Sequence, residues 1–439
     1  MWKWSFLCLT FTISVSLMAQ GFDKAKMDSL FARMEANDRG MNSVSVFHNG
    51  EEVYQHAIGY ADVANGIAAT AQTRYRIGSI TKPFTATLIL QLVEAGQLSL
   101  DTRLAEFFPE VTNAEAITIE HLLRHRSGIF NFTNADDYTS WMEDPIGKEE
   151  LLRKIASYES VFEPGSQAQY SNSNFVLLGL IAERVADAPY AELLQDRLCA
   201  PCGLTNTYYG AKIDPANDEA FSYKWESGWQ ATTETDMSVP GGAGALVSTP
   251  TDLNAFLHCL FSGNILKEPT LEAMTTFQDG FGLGLLRAPF YERTAFGHNG
   301  GIDGFVSSAF YFPEEKVSVS LLCNGQVMPI NDILIGVLSI YFGRDYELPN
   351  FEPAAEVSAE QLDAYLGVYS SAGFPLKITI RRKGESLFGQ ATGQPEFPLE
   401  ATSARTFRFL QAGLTIEFVP EEDQLILKQM GQTFTLEKE

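Results

Sequence analysis

Ser79 and Lys82 stand three residues apart in IGSITKPFTA, with a glycine just ahead and an apolar run just behind. A serine hydroxyl is a weak nucleophile at neutral pH and needs a base within about 3 Å. Residues three apart share a helix face, so an amine at 82 reaches back to the oxygen at 79 if Ser79 begins a helix. The helix N-terminus also favours charge developing there, by roughly 0.3–2 kcal/mol. A capping serine beside a lysine that extends along the surface fits the same two residues. The phosphate-loop reading fails, because no Gly-x-x-x-x-Gly-Lys-Ser/Thr run is present.

Two further stretches carry residues suited to such a nucleophile. In QAQYSNSNFVLLGLIAERV, Tyr170 and Asn172 are two apart, just before an apolar helical run. In an extended link both side chains point the same way. A phenol there can share the Ser79 proton, and an amide can orient a substrate carbonyl and hold the lysine. A polar run that caps the helix is the plainer alternative, although it gives no reason for the tyrosine. In FGHNGGIDGFVSSAFYF, glycines and Asp303 surround His298 just before a strand-like run. Glycines let a substrate backbone approach closely. A peptide N–H near Gly301 and that of Ser79 can form the two halves of an oxyanion hole, each worth about 2.7–4 kcal/mol in comparable hydrolases. His298 can donate to a substrate or steady the proton network. Asp303 either steadies the His298 loop or forms a turn.

The elements that must position these residues follow from periodicity. Helices are expected over Asp23–Asn37, Pro83–Gly96, Ile119–His125, Asn174–Val185, Pro189–Leu198 and Ile330–Phe342, and after Thr249, where Thr or Asp can cap. SVSVFHNGEEVYQHAIGYAD alternates on both sides of Asn49-Gly50, a strong hairpin signal. Strand patterns return in FVSSAFYFPEEKVSVSLLCNG. Strand-rich segments therefore flank a helical middle, which suggests an α+β fold: one antiparallel sheet made from both chain ends, covered by helices, with an inserted helical lobe. A cleft between the lobes is the natural pocket. Past Pro349 and Pro353 the pattern changes to short, regularly spaced strands, which read as a small all-β, barrel-like domain with no catalytic constellation. The expected division is 1–19 as a signal peptide, 20–348 as the catalytic unit and 349–439 as an accessory β domain.

Composition sets outer bounds. The 439 residues are 45% hydrophobic and 20% charged, as in globular proteins, and the formal net charge is −24. A chain this acidic, without a basic stripe, repels phosphate backbones, so no nucleic-acid partner is expected. Lys3 and the apolar run Phe6–Leu17 read as a leader for export, with no membrane span once it is removed, and imply a secreted, periplasmic protein. Cys199, Cys202, Cys259 and Cys323 remain; the CAPC stretch reads as a local disulfide or two plain thiols. No His/Cys cluster has ligand spacing, so no metal or other cofactor is expected.

The order Ser79-Ile80-Thr81-Lys82, Tyr170-Ser171-Asn172, His298-Asn299-Gly300 resembles the serine β-lactamase and penicillin-binding protein superfamily, most of all its class C β-lactamase and D-alanyl-D-alanine carboxypeptidase branch, which includes related esterases. YRIGSITKPFTA, GQLSLDTRLAEFFP, ITIEHLLRHRSGI and PGGAGALVSTPTDL extend the likeness over about residues 25 to 345. The resemblance implies that Ser79 attacks a carbonyl and becomes acylated, that Lys82 and Tyr170 handle the proton, and that Asn172 orients the substrate. It also implies that Gly301 completes the oxyanion hole and that water releases the acyl group. His298 stands where the family usually has the lysine of Lys-Thr-Gly. Histidine is mostly neutral at neutral pH, so antibiotic hydrolysis is less favoured than peptide or ester turnover. His121 and His125 fall, by the same likeness, in a structural helix-turn segment. The function expected is a secreted serine hydrolase cleaving a D-Ala peptide, a β-lactam or a small ester through a Ser79 acyl-enzyme; the alternative is a catalytically weak module that binds peptidoglycan peptides.

Overall fold

The computed structural model describes residues 22–226, 228–351, 357–409, 412–429 and 432–439. The proposed leader lies outside them. Strands Gly40–His48 and Glu51–Ile58 form the expected hairpin through Asn49 and Gly50, both at positive φ (54° and 83°), as a tight two-residue turn demands. This hairpin does not stay local. Gly40–His48 pairs antiparallel with Val317–Gln326, so the sheet runs in the order 286–290, 293–302, 305–312, 317–326, 40–48, 51–58. A short hairpin, Tyr223–Trp225 with Trp229–Ala231, joins through a parallel contact between Tyr223 and Gly325.

Both faces of the central strand are covered, which explains its near-continuous burial. Val44 and Val46 pack with Met27, Leu30 and Phe31 of helix Lys24–Glu35 and with Ile333 and Val337 of helix Ile330–Tyr341. Ser45 faces the other way, where Asn254 donates to its carbonyl at 2.9 Å and accepts from Ser320 at 2.8 Å. Beyond that face lies the helical lobe. Its central helix, Thr81–Glu94, is buried on nearly every side, and the Phe84 ring stacks on Phe256 at 3.7 Å. Burying one such side chain contributes about 1.5–3 kcal/mol. The helix expected over Pro189–Leu198 continues as a wider turn at Gln195–Cys199. Helix Pro250–Phe261 is capped by Thr249, whose hydroxyl accepts the Asp252 N–H at 3.2 Å.

A local Cys199–Cys202 bridge does not form. Cys202 bonds Cys259 on the neighbouring helix, with Cα atoms 5.7 Å apart, while Cys199 turns inward to the Thr207 carbonyl and is free. A helical path through these residues separates the two thiols and aims only the second at helix Pro250–Phe261.

Residues 367–438 close into a barrel of eight antiparallel strands, with Tyr369 facing Lys438 across the closure. Closure leaves no open strand edge. Its core is a separate apolar cluster that includes Ile378, Phe407, Phe418 and Leu425. Among the described residues no helix is long and apolar enough to cross a membrane.

Candidate active site

Ser79 sits in the tight turn Gly78–Ile80 that feeds helix Thr81–Glu94, with Pro83 in the helix's first turn. Gly78 has φ +51°, and a Cβ there would lie 2.8 Å from the Gly301 carbonyl oxygen. Gly300 is equally constrained: its Cβ would lie 2.0 Å from the Ile77 oxygen. These glycines let the nucleophile turn pack backbone to backbone against strand Arg293–Ile302. Ser79 and Gly301 consequently face the same cleft, of about 570 Å³.

Three side chains meet at the hydroxyl. Lys82 Nζ lies 3.0 Å from Ser79 Oγ, and the Tyr170 hydroxyl donates to that oxygen at 2.8 Å. Lys82 also donates to Asn172 Oδ1 and to the Ala243 carbonyl, each at 2.8 Å. Asn172 is itself fixed: its Nδ2 donates to Thr133 Oγ1 at 3.1 Å, and its backbone N–H to Asn131 Oδ1 at 2.9 Å. Lys82 is fully buried with no carboxylate partner among the described residues, and desolvation pushes its amine well below the usual lysine range. Burial pushes the Tyr170 phenol upward, only partly offset by its bond to Ser79.

Two proton arrangements satisfy these contacts: an ammonium that donates to Ser79, Asn172 and Ala243, and a neutral amine, the form that desolvation favours. The neutral amine uses its two N–H bonds on Asn172 and Ala243, which only accept. Its lone pair then faces Ser79, whose hydroxyl donates to it while accepting from the protonated phenol. The set can deprotonate a serine without any net charge in the ground state.

His298 is placed differently from a substrate donor. It is 3% exposed, and its Nδ1–H donates to the Asn299 carbonyl at 2.5 Å. Its ring centroid is 6.2 Å from that of Tyr170. Burial, the largest cause, pushes its pKa down to about 3, so it is neutral at ordinary pH. Of its two expected roles, this position fits the one behind the proton network.

Sequence reasoning did not single out Arg76, and it treated Asp303 as a turn residue or loop support. Arg76, 2% exposed, donates to Asp303 Oδ2 at 3.0 Å, to Glu234 Oε1 at 2.7 Å and to the carbonyls of Thr235 and Ala211. Asp303 also accepts from the Thr235 N–H and hydroxyl. This ion pair links the chain three residues before Ser79 to the chain two residues after Gly301. No local sequence pattern marks it, because the partners are far apart in the chain. The Ala243 carbonyl, a backbone group, was equally invisible.

The cleft has two unlike walls. Phe132, Tyr138, Met142 and Pro240 form an apolar one; Thr232, Thr233, Thr235 and Lys224, on and after the short hairpin, form a polar one. Among the described residues no group of three His, Cys, Asp or Glu side chains could hold a metal. His121 and His125 serve separate backbone bonds, to Thr118 N–H and Ser171 N–H.

A mixed sheet and helical lobe with this polar triad at their junction define a serine hydrolase of the β-lactamase and penicillin-binding-protein fold. The chain belongs to the Beta-lactamase family, whose model matches residues 27–333; residues 352–433 match a domain of unknown function, DUF3471. It is 24% identical to Penicillin-binding protein 4* of Bacillus subtilis over 432 residues, 90% of this chain and 94% of that one. A D-amino acid amidase from Ochrobactrum anthropi, solved with L-phenylalanine amide, superposes with TM-score 0.66 at 28% identity, covering 73% of this chain and 98% of the other. An octameric penicillin-binding protein homologue from Pyrococcus abyssi gives 0.68 at 26% identity, covering 94% and 100%. Family and neighbours mark a serine hydrolase of the amide and ester type.

Proposed function

We propose that this protein cleaves small peptide amides and esters through an acyl-enzyme on Ser79. The observation that carries the reading is the convergence of Lys82 Nζ and the Tyr170 hydroxyl on Ser79 Oγ, at 3.0 and 2.8 Å. The Ser79 proton passes to the neutral Lys82 amine as Oγ bonds the substrate carbonyl carbon. The N–H groups of Ser79 and Gly301 take the developing oxyanion. As the C–N or C–O bond breaks, Tyr170 gives its phenol proton to the leaving atom and recovers one from the Lys82 ammonium. Water then adds to the ester carbonyl, giving a proton to the same pair, and Ser79 Oγ leaves with a proton restored.

The substrate class follows from charge and shape. A neutral, buried His298 supplies no fixed cation for a substrate carboxylate beside the oxyanion site. The apolar wall suits a bulky side chain on the acyl portion. Amides and esters are therefore the proposed substrates, the amidase neighbour supporting residues of D configuration, with β-lactams acylating but turning over slowly. We also read the chain as exported and periplasmic: the Cys202–Cys259 bridge supports this, since such bonds persist in oxidising compartments. Mature protein beginning near residue 20 checks that part.

The test is a fluorophosphonate probe read by intact mass, followed by side-by-side turnover of D-amino acid amides, D-Ala-terminated peptides, short-chain esters and nitrocefin. A single adduct on Ser79 and fastest turnover of amides or esters are expected. A folded protein that takes no adduct, or nitrocefin as much the best substrate, defeats the reading.

A further inference from the structure

Tyr170 owes its position to a histidine that the reaction does not use. His125 follows helix Ile119–Leu123 and is 2% exposed. Its backbone lies at φ +55°, a left-handed region uncommon for residues other than glycine, in which Asn, Asp and His are the more frequent exceptions. The His125 carbonyl accepts the Gln169 N–H at 2.9 Å. Its ring Nδ1 lies 3.2 Å from the Ser171 N–H and 3.3 Å from Asn174 Nδ2. A backbone N–H can only donate, so Nδ1 is the accepting nitrogen and the ring hydrogen sits on Nε2. Asn174 is oriented for this by Ser127, whose hydroxyl donates to its Oδ1 at 2.6 Å.

The residues immediately before and after Tyr170 are thus tied to one side chain and its own carbonyl. The imidazole face also packs on the phenol ring, with centroids 4.4 Å apart and planes inclined by 34°. Phe281 packs alongside the pair, 4.9 Å from the imidazole and 6.4 Å from the phenol. Lys82 and His298 are the ionisable groups that bear on this ring, and burial, the largest cause, holds its pKa well below the usual histidine value. A protonated ring would turn a second N–H toward two donors and open the clamp.

We propose that His125 is a positioning residue for acyl transfer, fastening the backbone on both sides of Tyr170 and setting the phenol's approach to Ser79 with its ring face. This rests on the reading of Tyr170 as a proton-handling group. A histidine that merely fills the core would lower stability when replaced and leave the chemistry of a folded variant alone.

The experiment is a double-mutant cycle on the acylation rate, measured with a fluorophosphonate and with an ester substrate, on variants whose thermal unfolding confirms that they are folded. Y170F is expected to slow acylation by about 10²- to 10⁴-fold. H125F keeps a ring face but removes the acceptor, and is expected to slow the native enzyme by about tenfold to a hundredfold. In the Y170F background it should cost less than about twofold, because the group it positions is gone. H125N places an oxygen near the Nδ1 position and tolerates positive φ, so it should recover most of the rate that H125F loses. If H125F does not fold, H125Q, whose acceptor is displaced by one carbon, takes its place in the cycle. Equal losses from the His125 change in both backgrounds overturn the positioning role and leave the Tyr170 reading intact. A fully active Y170F overturns both.

Discussion

The barrel and the Ser79 cleft bury opposite kinds of residue. The barrel encloses Ile416, Phe418, Leu425 and Leu436, and its charges meet outside, as where Arg405 pairs with Glu421 at 2.6 Å, both more than half exposed. Around Ser79, the buried groups include Lys82, Arg76, His125 and His298, each at 5% exposure or less. Two of the residues that shape the site, His125 and Asp303, are non-glycines at positive φ. Desolvating an ionisable group disfavours its charged form, and this is what readies an amine to accept a proton. The barrel core is apolar apart from Arg408, at 9% exposure, and its one non-glycine at positive φ among the described residues, Asp423, sits in a turn. The cleft concentrates buried ionisable groups, at a cost in stability, and they coincide with the atoms the chemistry needs.

The largest effect separating the two regions is on rate. Ser79→Ala should lower turnover by at least about 10³-fold, and K82A by about 10²- to 10⁴-fold, with the fold retained. Steady-state kinetics beside thermal unfolding checks both. In the native enzyme, acylation should rise with pH as Lys82 loses its proton, at a pH below the ordinary lysine range. A rate independent of pH throughout that region would break the contrast.

Next comes the ion pair beneath the oxyanion site. Asp303→Asn leaves the buried Arg76 with one carboxylate fewer, and removing one member of a buried pair costs about 3–5 kcal/mol. Urea unfolding should show that loss, with reduced turnover in the variant that remains folded. A change under about 0.5 kcal/mol would mean that Glu234 and the surrounding carbonyls suffice.

A smaller effect belongs to His298. The unfolded chain takes up a proton there near the usual 6.5, whereas the folded protein resists until about 3. Across that interval the unfolded state binds more protons, so stability falls as the pH drops, by up to about 1.4 kcal/mol per pH unit from this group. His125 adds to the same acid sensitivity. His298→Asn should flatten the slope of unfolding free energy against pH by close to one proton. The smallest change is expected on the barrel surface, where Lys383→Ala removes an exposed partner of Glu396 and should cost no more than about 1 kcal/mol, with turnover unchanged.

How much of this was legible in the chain depended on how local each signal is. The Asn49-Gly50 hairpin and the apolar helix behind Ser79 are written in neighbouring residues, and both stand where periodicity put them, within about two residues at helix ends. The α+β sheet with its inserted lobe and the C-terminal barrel followed from pattern changes over longer stretches. Ser79, Lys82 and Tyr170 were nominated by residue type, and only the fold could give their separations. What stayed hidden is non-local or carried by the backbone. The Arg76–Asp303 pair, the Ala243 carbonyl and the partner of Cys202 join segments whose sequences do not announce each other. The burial of His298 was hidden for a related reason: a glycine-rich stretch reads as an open loop, although here it is a strand packed against the nucleophile turn.

The pairing of Gly40–His48 with Val317–Gln326 has a consequence for biogenesis. The first hairpin cannot find its permanent neighbour until nearly all of the hydrolase region has emerged from the ribosome, on the order of tens of seconds into synthesis. Until then the Val44 and Val46 face has no sheet to join, and the nascent chain stays unfinished.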